Sequence, residues 1–225
     1  MTVWYTSDLH IGHGKVAGIR WDQIFKGIPL GKPDPEELIA WHDGLLVVNW
    51  DSVVGPKDVV WILGDISSGT DKAQRTALAW LSRRPGIKHL ITGNHDGAHP
   101  MHRDSHKWQR IYLGEGRPGG PKVFESVQMA AKKRVLLPKE GHVSVYLSHF
   151  PYRADRGDKV RYPEWRLANY GHILLHGHTH FTERLSWDGE AAQIHVGVDA
   201  WNMTPVDGDT VKELVWEVLG LRPDG

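Results

Sequence analysis

Cysteine is absent from the 225 residues, which excludes disulfides, zinc ribbons and thiol nucleophiles and suits a reducing cytoplasm. An excess of either charge is absent too: Lys and Arg together number 27, and so do Asp and Glu. No global field therefore draws the protein to nucleic acid or anionic membrane, and any anion binding must be local. Long apolar runs are also missing. Met1 leads at once into strand-like residues, without the basic and apolar regions of a signal peptide, and no stretch is long enough to span a bilayer. The expectation is a soluble, unexported, cytoplasmic protein with no membrane partner. Neither an internal repeat nor a low-complexity tract nor a linker interrupts the sequence, so residues 1–225 read as one domain. A chain of that length buries about 70% of the surface its unfolded form exposes.

What the sequence does hold is histidine, 15 in all, and several of these sit at the ends of apolar runs. Ile87 to Thr92 runs into Gly93-Asn94-His95-Asp96, where Gly93 permits a turn and the next three residues offer an amide oxygen, an imidazole and a carboxylate. Taken alone, that tetrapeptide reads as well as an ordinary polar turn. Four further clusters share its layout. Thr2 to Ser7 leads into Asp8-Leu9-His10, Val59 to Leu63 into Gly64-Asp65, Val143 to Ser148 into His149, and His172 to His176 into Gly177-His178-Thr179-His180. Five strands thus end in groups able to bind a metal, at the sheet edge where open α/β sheets bind their ligands. Asp-x-His and His-x-His put two such groups on one side of an extended segment, because side chains alternate with period two. Hard oxygen donors mixed with imidazoles, and no sulfur, suit Mn²⁺ first, then Fe or Zn²⁺, with Ni²⁺ also compatible, better than Ca²⁺ or Cu(I).

Taken in order, Asp8-x-His10, Gly64-Asp65, Gly93-Asn94-His95-Asp96, His149 and Gly177-His178-Thr179-His180 resemble the motifs of the calcineurin-like metallophosphoesterases. With Gly12-His13 and the later Gly197-Val198-Asp199, the chain is similar to the small single-domain members of bacteria and phages. The resemblance implies a four-layer α/β/β/α sandwich of two mixed sheets flanked by helices. It also implies two divalent transition-metal ions, one held by Asp8, His10 and His180, the other by Asn94, His149 and His178, with Asp65 bridging both. The activity it implies is phosphoester hydrolysis by a metal-bridging hydroxide. His95 is then expected to stabilise the phosphoryl oxygens or protonate the leaving alkoxide, with Asp96 orienting its ring. Asn94, His13 and Arg153 are the candidate contacts to substrate phosphate. A turn histidine with no role and a solvated basic run (Arg153, Arg156, Lys159, Arg161, Arg166) are the plain alternatives for the last two. The compact chain favours small phosphodiesters, such as cyclic nucleotides, over phosphomonoesters. Phosphomonoesterase or nuclease action at the same site is the rival within the enzyme class, though a neutral chain argues against binding long duplexes. A catalytically silent metal-binding scaffold is the reading from another class.

The remaining pattern supplies the scaffold. A short helix is expected over Lys15 to Arg20, an irregular loop over Trp21 to Pro33, and a helix opened by Asp34-Pro35-Glu36-Glu37 and running to about Val53. Leu38, Trp41, Leu45, Val48 and Val53 are its expected inner face. A further helix should span Thr70 to Arg83, and strand–helix alternation through residue 92 argues for parallel βαβ units. Beyond it, Gly97 to Lys107 reads as polar loop. Val123 to Leu137 pairs antiparallel with His142 to Ser148, and Asp188-Gly189 turns a hairpin. Asp207 caps a last helix from Thr210 to Leu219.

Overall fold

The computed structural model describes residues 1–115, 122–138, 141–152, 155 and 160–221. Its first sheet contains β1 (Val3–Thr6), β2 (Val59–Ile62), β3 (Ile87–Ile91), β4 (Ser126–Gln128) and β10 (Val206–Asp207), in the order β10-β1-β2-β3-β4. The second contains β5 (Ala130–Leu136), β6 (His142–Ser148), β7 (Ile173–His176), β8 (Leu185–Asp188) and β9 (Ala191–His195), in the order β5-β6-β7-β9-β8. Strands β1 to β4 are mutually parallel, as are β6, β7 and β9, while β10, β5 and β8 are antiparallel partners at the edges. Both sheets are therefore mixed, and flanking helices complete an α/β fold of the expected type.

Period-two alternation builds the core. Val60, Ile62 and Leu90 face a cluster with Leu46 and Trp50 of α2 (Pro35–Val53) and Leu78 and Leu81 of α3 (Asp71–Leu81). Trp61, Leu63 and Ile91, one position along, face Val145, Leu147, Ile173, Leu175 and Ile194 of the second sheet. Such fully buried side chains contribute about 1.5–3 kcal/mol each. Helix α5 (Gly208–Val218) adds Val211 and Val215 to this inter-sheet core.

Helix starts obey local chemistry. Asp34 forms a capping box with Glu37 ahead of α2, Thr70 caps α3 and Asp207 caps α5. Several expectations need correction. Helix α1 (Gly14–Ile24) runs past Arg20, because Trp21 packs edge-on against Trp41 with ring centroids 5.0 Å apart. The buried stripe of α2 is Leu38, His42, Leu46 and Trp50, and Val48 is 65% exposed. Leu38 lies inward as expected, while His42 replaces Trp41 on the buried stripe and meets the buried Arg20 at 2.7 Å. An additional helix, α4 (Ser105–Tyr112), follows the polar segment and buries Trp108 and Tyr112. The run expected as one strand from Val123 splits at Met129, so that β4 joins the first sheet and only β5 pairs with β6.

Candidate metal centre

The loops after β1, β2, β3, β6 and β7 meet in one crevice at the carboxyl ends of both sheets. Backbone bonds tie them together: Asp8 and His10 donate to the carbonyls of Gly64 and Asp65, and Gly177 donates to that of His149. Three glycines make the approach possible. A Cβ on Gly64 would overlap His149 Nδ1, one on Gly93 would overlap Asp65 Oδ1, and one on Gly177 would overlap Ser7 Oγ. The chain is also bent sharply here. Asp8, His10, Asp65, His178 and His180 have φ of 58°, 47°, 56°, 72° and 54°. Left-handed backbone at non-glycine residues costs of order 1–3 kcal/mol each and persists where surrounding structure imposes it. Its concentration at five candidate ligands marks the crevice as a functional site independently of any motif.

Two groups of donors lie in it. Asp8, His10 and His180 form one, and Asp65, His149 and His178 the other, each with ligand atoms within 4.8 Å of one another. Asp65 joins them, since its Oδ2 lies 3.8 Å from His10 Nε2 and 3.4 Å from His149 Nε2. Across the second group, His178 Nδ1 lies 3.2 Å from His149 Nε2. At His149 and Asp65 burial opposes charge, yet electrostatics prevails. Burial by itself would lower His149, but the Asp65 carboxylate against it raises it to about 9. Burial likewise works against ionised Asp65, and His149 and His10 hold it well below the usual carboxylate range. His10 Nε2 and Asn94 Oδ1 are buried without a hydrogen-bond partner among the described residues. A native buried polar atom left unpaired calls for an ion or water, and here the orphans belong to a carboxylate–imidazole–amide set suited to divalent transition metals. The residues present fit a pair of such ions.

Around these groups, His95 is half-buried with its ring centroid 5.4 Å from that of His10, and its backbone N–H donates to Asp65 Oδ1 at 2.8 Å. His13 also adjoins His10, Nδ1 to Nδ1 at 3.3 Å. Asp96 does not orient the His95 ring. Its carboxylate accepts the backbone N–H groups of Gly93, Asp65 and Ile66 at 2.8, 3.0 and 3.0 Å, so it braces the two loops that carry Asn94 and Asp65. Burial and the adjacent Asp65 charge push its carboxyl up to about 7. Arg153, with Arg156 and Lys159, lies outside the described residues. Arg161 and Arg166, expected as part of a solvated run, instead bind the buried Asp155.

Residues that sequence reasoning passed over surround the centre. Arg20, 1% exposed, gives Nε and Nη2 to Asp199 at 2.8 and 2.7 Å, Nη2 to the Asp8 carbonyl at 2.7 Å, and Nη1 to His42. His42 meets Asp43, whose carboxylate accepts the Gly12 N–H. Burial disfavours the Asp199 charge, but Arg20 holds the carboxyl well below its usual range. The sequence signals for this network are Asp199 in Gly197-Val198-Asp199 and a lone Arg on a short helix. Beside it opens a cleft of about 220 Å³, lined by Val16, Ile19 and Gln23 of α1 and by Arg161, His178 and His180.

A donor set of this kind, at the carboxyl ends of two mixed sheets, belongs to the metallophosphoesterases. The sequence profile of the calcineurin-like phosphoesterases matches residues 1–181, and the chain belongs to that family. It is 49% identical over 214 residues to the Gene 66 protein of Mycobacterium phage L5, covering 94% of this chain and 93% of the relative. Against the Gene 66 protein of Mycobacterium phage D29 it is 47% identical over 217 residues, covering 96% of each. Among solved structures, a protein of unknown function from Aquifex aeolicus shares the fold with a TM-score of 0.57 at 20% identity, covering 95% of this chain and 98% of that one. Among the described residues, no helix is long and apolar enough to cross a membrane.

Proposed function

We propose that this member of the phosphoesterase family is a two-metal phosphodiesterase acting on small phosphodiesters, a class that includes cyclic nucleotides. The observation that carries the reading is the placement of Asp65 between the two donor groups, 3.8 Å from His10 and 3.4 Å from His149. Asp8, His10 and His180 would hold one ion, Asn94, His149 and His178 the other, and Asp65 both. Mn²⁺ suits the oxygen and imidazole donors. A pair of ions so held lowers the pKa of water toward neutrality and offsets charge on phosphoryl oxygens.

The chain's own groups do the rest. His95, fixed through its backbone N–H on Asp65, presents its imidazole to the phosphoryl oxygens or gives a proton to the departing alkoxide. His13, whose Nδ1 lies 3.3 Å from that of His10, would contact the same phosphate. Among the described residues, Arg20 and Arg161 line the adjoining cleft, and Arg161 is paired with Asp155.

The test is hydrolysis of bis-p-nitrophenyl phosphate against p-nitrophenyl phosphate. Chelator-stripped protein would be reloaded with Mn²⁺, Zn²⁺, Ni²⁺ or Mg²⁺, with Asn94→Ala as the control. The expected result is metal-dependent diester turnover that collapses in Asn94→Ala. Preference for the monoester would make the protein a phosphatase, and two bound ions without turnover of either ester would make it a scaffold. Full turnover by His95→Ala on a diester with a poor leaving group would remove His95 from the chemistry.

A further inference from the structure

Each histidine of His178-Thr179-His180 turns one ring nitrogen toward a donor group and the other toward a carboxylate that is itself held by arginine. For His180, Nε2 lies 3.9 Å from Asp8 Oδ1, while Nδ1 meets Asp199 Oδ2 at 2.9 Å. Asp199 is held in turn by Arg20 through two bonds of 2.8 and 2.7 Å. His178 has the reverse arrangement. Its Nδ1 lies 3.2 Å from His149 Nε2, and its Nε2 lies 3.3 Å from Asp155 Oδ1. Asp155 is held by Arg161 Nε at 2.9 Å and by Arg166 Nη2. The side chains of Asp155 and Asp199 are 7% and 3% exposed, and neither belongs to the two donor groups.

A buried carboxylate is costly unless paired, and these two are paired both with arginine and with an imidazole. We propose that Asp155 and Asp199 are positioning residues that dictate which ring nitrogen each histidine presents, Nδ1 from His178 and Nε2 from His180, so that each carboxylate governs one ion of the pair. A neutral imidazole has one N–H and one lone pair, and a carboxylate on one nitrogen takes the N–H and leaves the other nitrogen's lone pair for a cation. Nδ1 lies close to the backbone and Nε2 reaches further. Two histidines on one turn, with φ of 72° and 54°, thereby serve two ions at different depths. Arg161 Nη2 also lies 3.2 Å from His178 Nε2. A guanidinium cannot accept a proton, so once Nδ1 binds a cation the Nε2–H has Asp155 as its acceptor.

This inference rests on the reading that the crevice holds two ions and not on the choice of ester. Its test is stepwise titration of the chelator-stripped full-length chain with Co²⁺, followed by visible absorption, together with histidine ¹⁵N NMR of the Zn²⁺-loaded protein. Asp199→Asn should weaken by about 10- to 100-fold the binding step that His10→Ala abolishes. Asp155→Asn should weaken, to the same degree, the step that His149→Ala abolishes. In the spectra, His178 should carry its proton on Nε2 and His180 on Nδ1. The double variant Arg20→Met/Asp199→Asn removes both buried charges together and serves if Asp199→Asn fails to fold. Both steps unchanged in either variant, the same step weakened in both, or the same nitrogen protonated on both rings would overturn the inference. Absence of diester turnover leaves all of these readouts intact, whereas wild-type protein that takes up no second ion overturns the inference along with the two-ion reading.

Discussion

Gly177→Ala separates the space the centre requires from the stability of the scaffold around it. The backbone of Gly177 is open to any residue, since its φ is not in the left-handed region. What an alanine lacks there is room. Its Cβ would overlap Ser7 Oγ and come within 2.6 Å of Asp8 Oδ2 and 2.7 Å of Ser7 Cβ. Neither neighbour gives way cheaply, because Ser7 Oγ donates to the Leu63 carbonyl at 2.6 Å and the Asp8 carboxylate accepts the His178 N–H at 3.0 and 3.1 Å. Overpacking of this kind costs about 1–3 kcal/mol. Displacing Asp8 by about 1 Å should further lower turnover by roughly 10²-fold. Gly189→Ala is the matched control. Gly189 has φ of 58° in the β8–β9 turn, and a Cβ there meets nothing within 4 Å, so the penalty is backbone strain alone. That strain is worth about 1–2 kcal/mol. Urea unfolding, metal content and diester turnover of the two variants decide the matter. Both should lose stability, and only Gly177→Ala should lose metal and activity. A Gly177→Ala protein with a full metal load and wild-type turnover would refute the crowding argument.

Three further predictions concern the scaffold. Lys88 is buried, and burial lowers its ammonium to about 8 from 10.5, with Nζ donating to the Arg84 and Gly86 carbonyls. Between those values the unfolded chain holds a proton the folded chain has released. Stability should therefore rise from about pH 8 to 10.5 with a contribution of at most about 1.4 kcal/mol per unit, and Lys88→Met should flatten that slope in urea titrations. Asp58 accepts the Thr2 and Gly55 N–H groups and Trp4 Nε1–H, and the Thr2 bond foremost lowers its carboxyl from 3.8 to about 2. The stability this supplies is present above pH 3.8 and lost as pH falls through about 2, so Asp58→Asn should remove that part of the acid-unfolding profile. Asp34→Ala removes the acceptor of the Glu36 and Glu37 N–H bonds at the start of α2 and should cost about 1 kcal/mol in urea unfolding without altering metal affinity.

Features governed by neighbours in the chain were readable from the sequence alone. Asp34 with Glu37 makes a capping box where a helix begins, Asp188-Gly189 turns a hairpin, and the apolar runs before Asp8, Asp65, Asn94, His149 and His178 deliver those residues to the carboxyl ends of strands. The donors in the crevice were legible for the same reason, since spacing and residue type are local properties. What the tertiary structure alone decided depends on partners far away in sequence. Arg20 finds Asp199 across 179 positions and also meets His42, which is buried on α2 while Val48 is exposed. The division of one apolar run at Met129 between two sheets follows from which edges stand open, a property no local window contains. The left-handed backbone at Asp8, His10, Asp65, His178 and His180 is likewise unfavourable locally and is held by crossing loops. Asp155 carries no motif, and Gly197-Val198-Asp199 gives no local sign of what Asp199 binds, because a carboxylate acquires such a role only when folding buries it against an arginine on one side and an imidazole on the other.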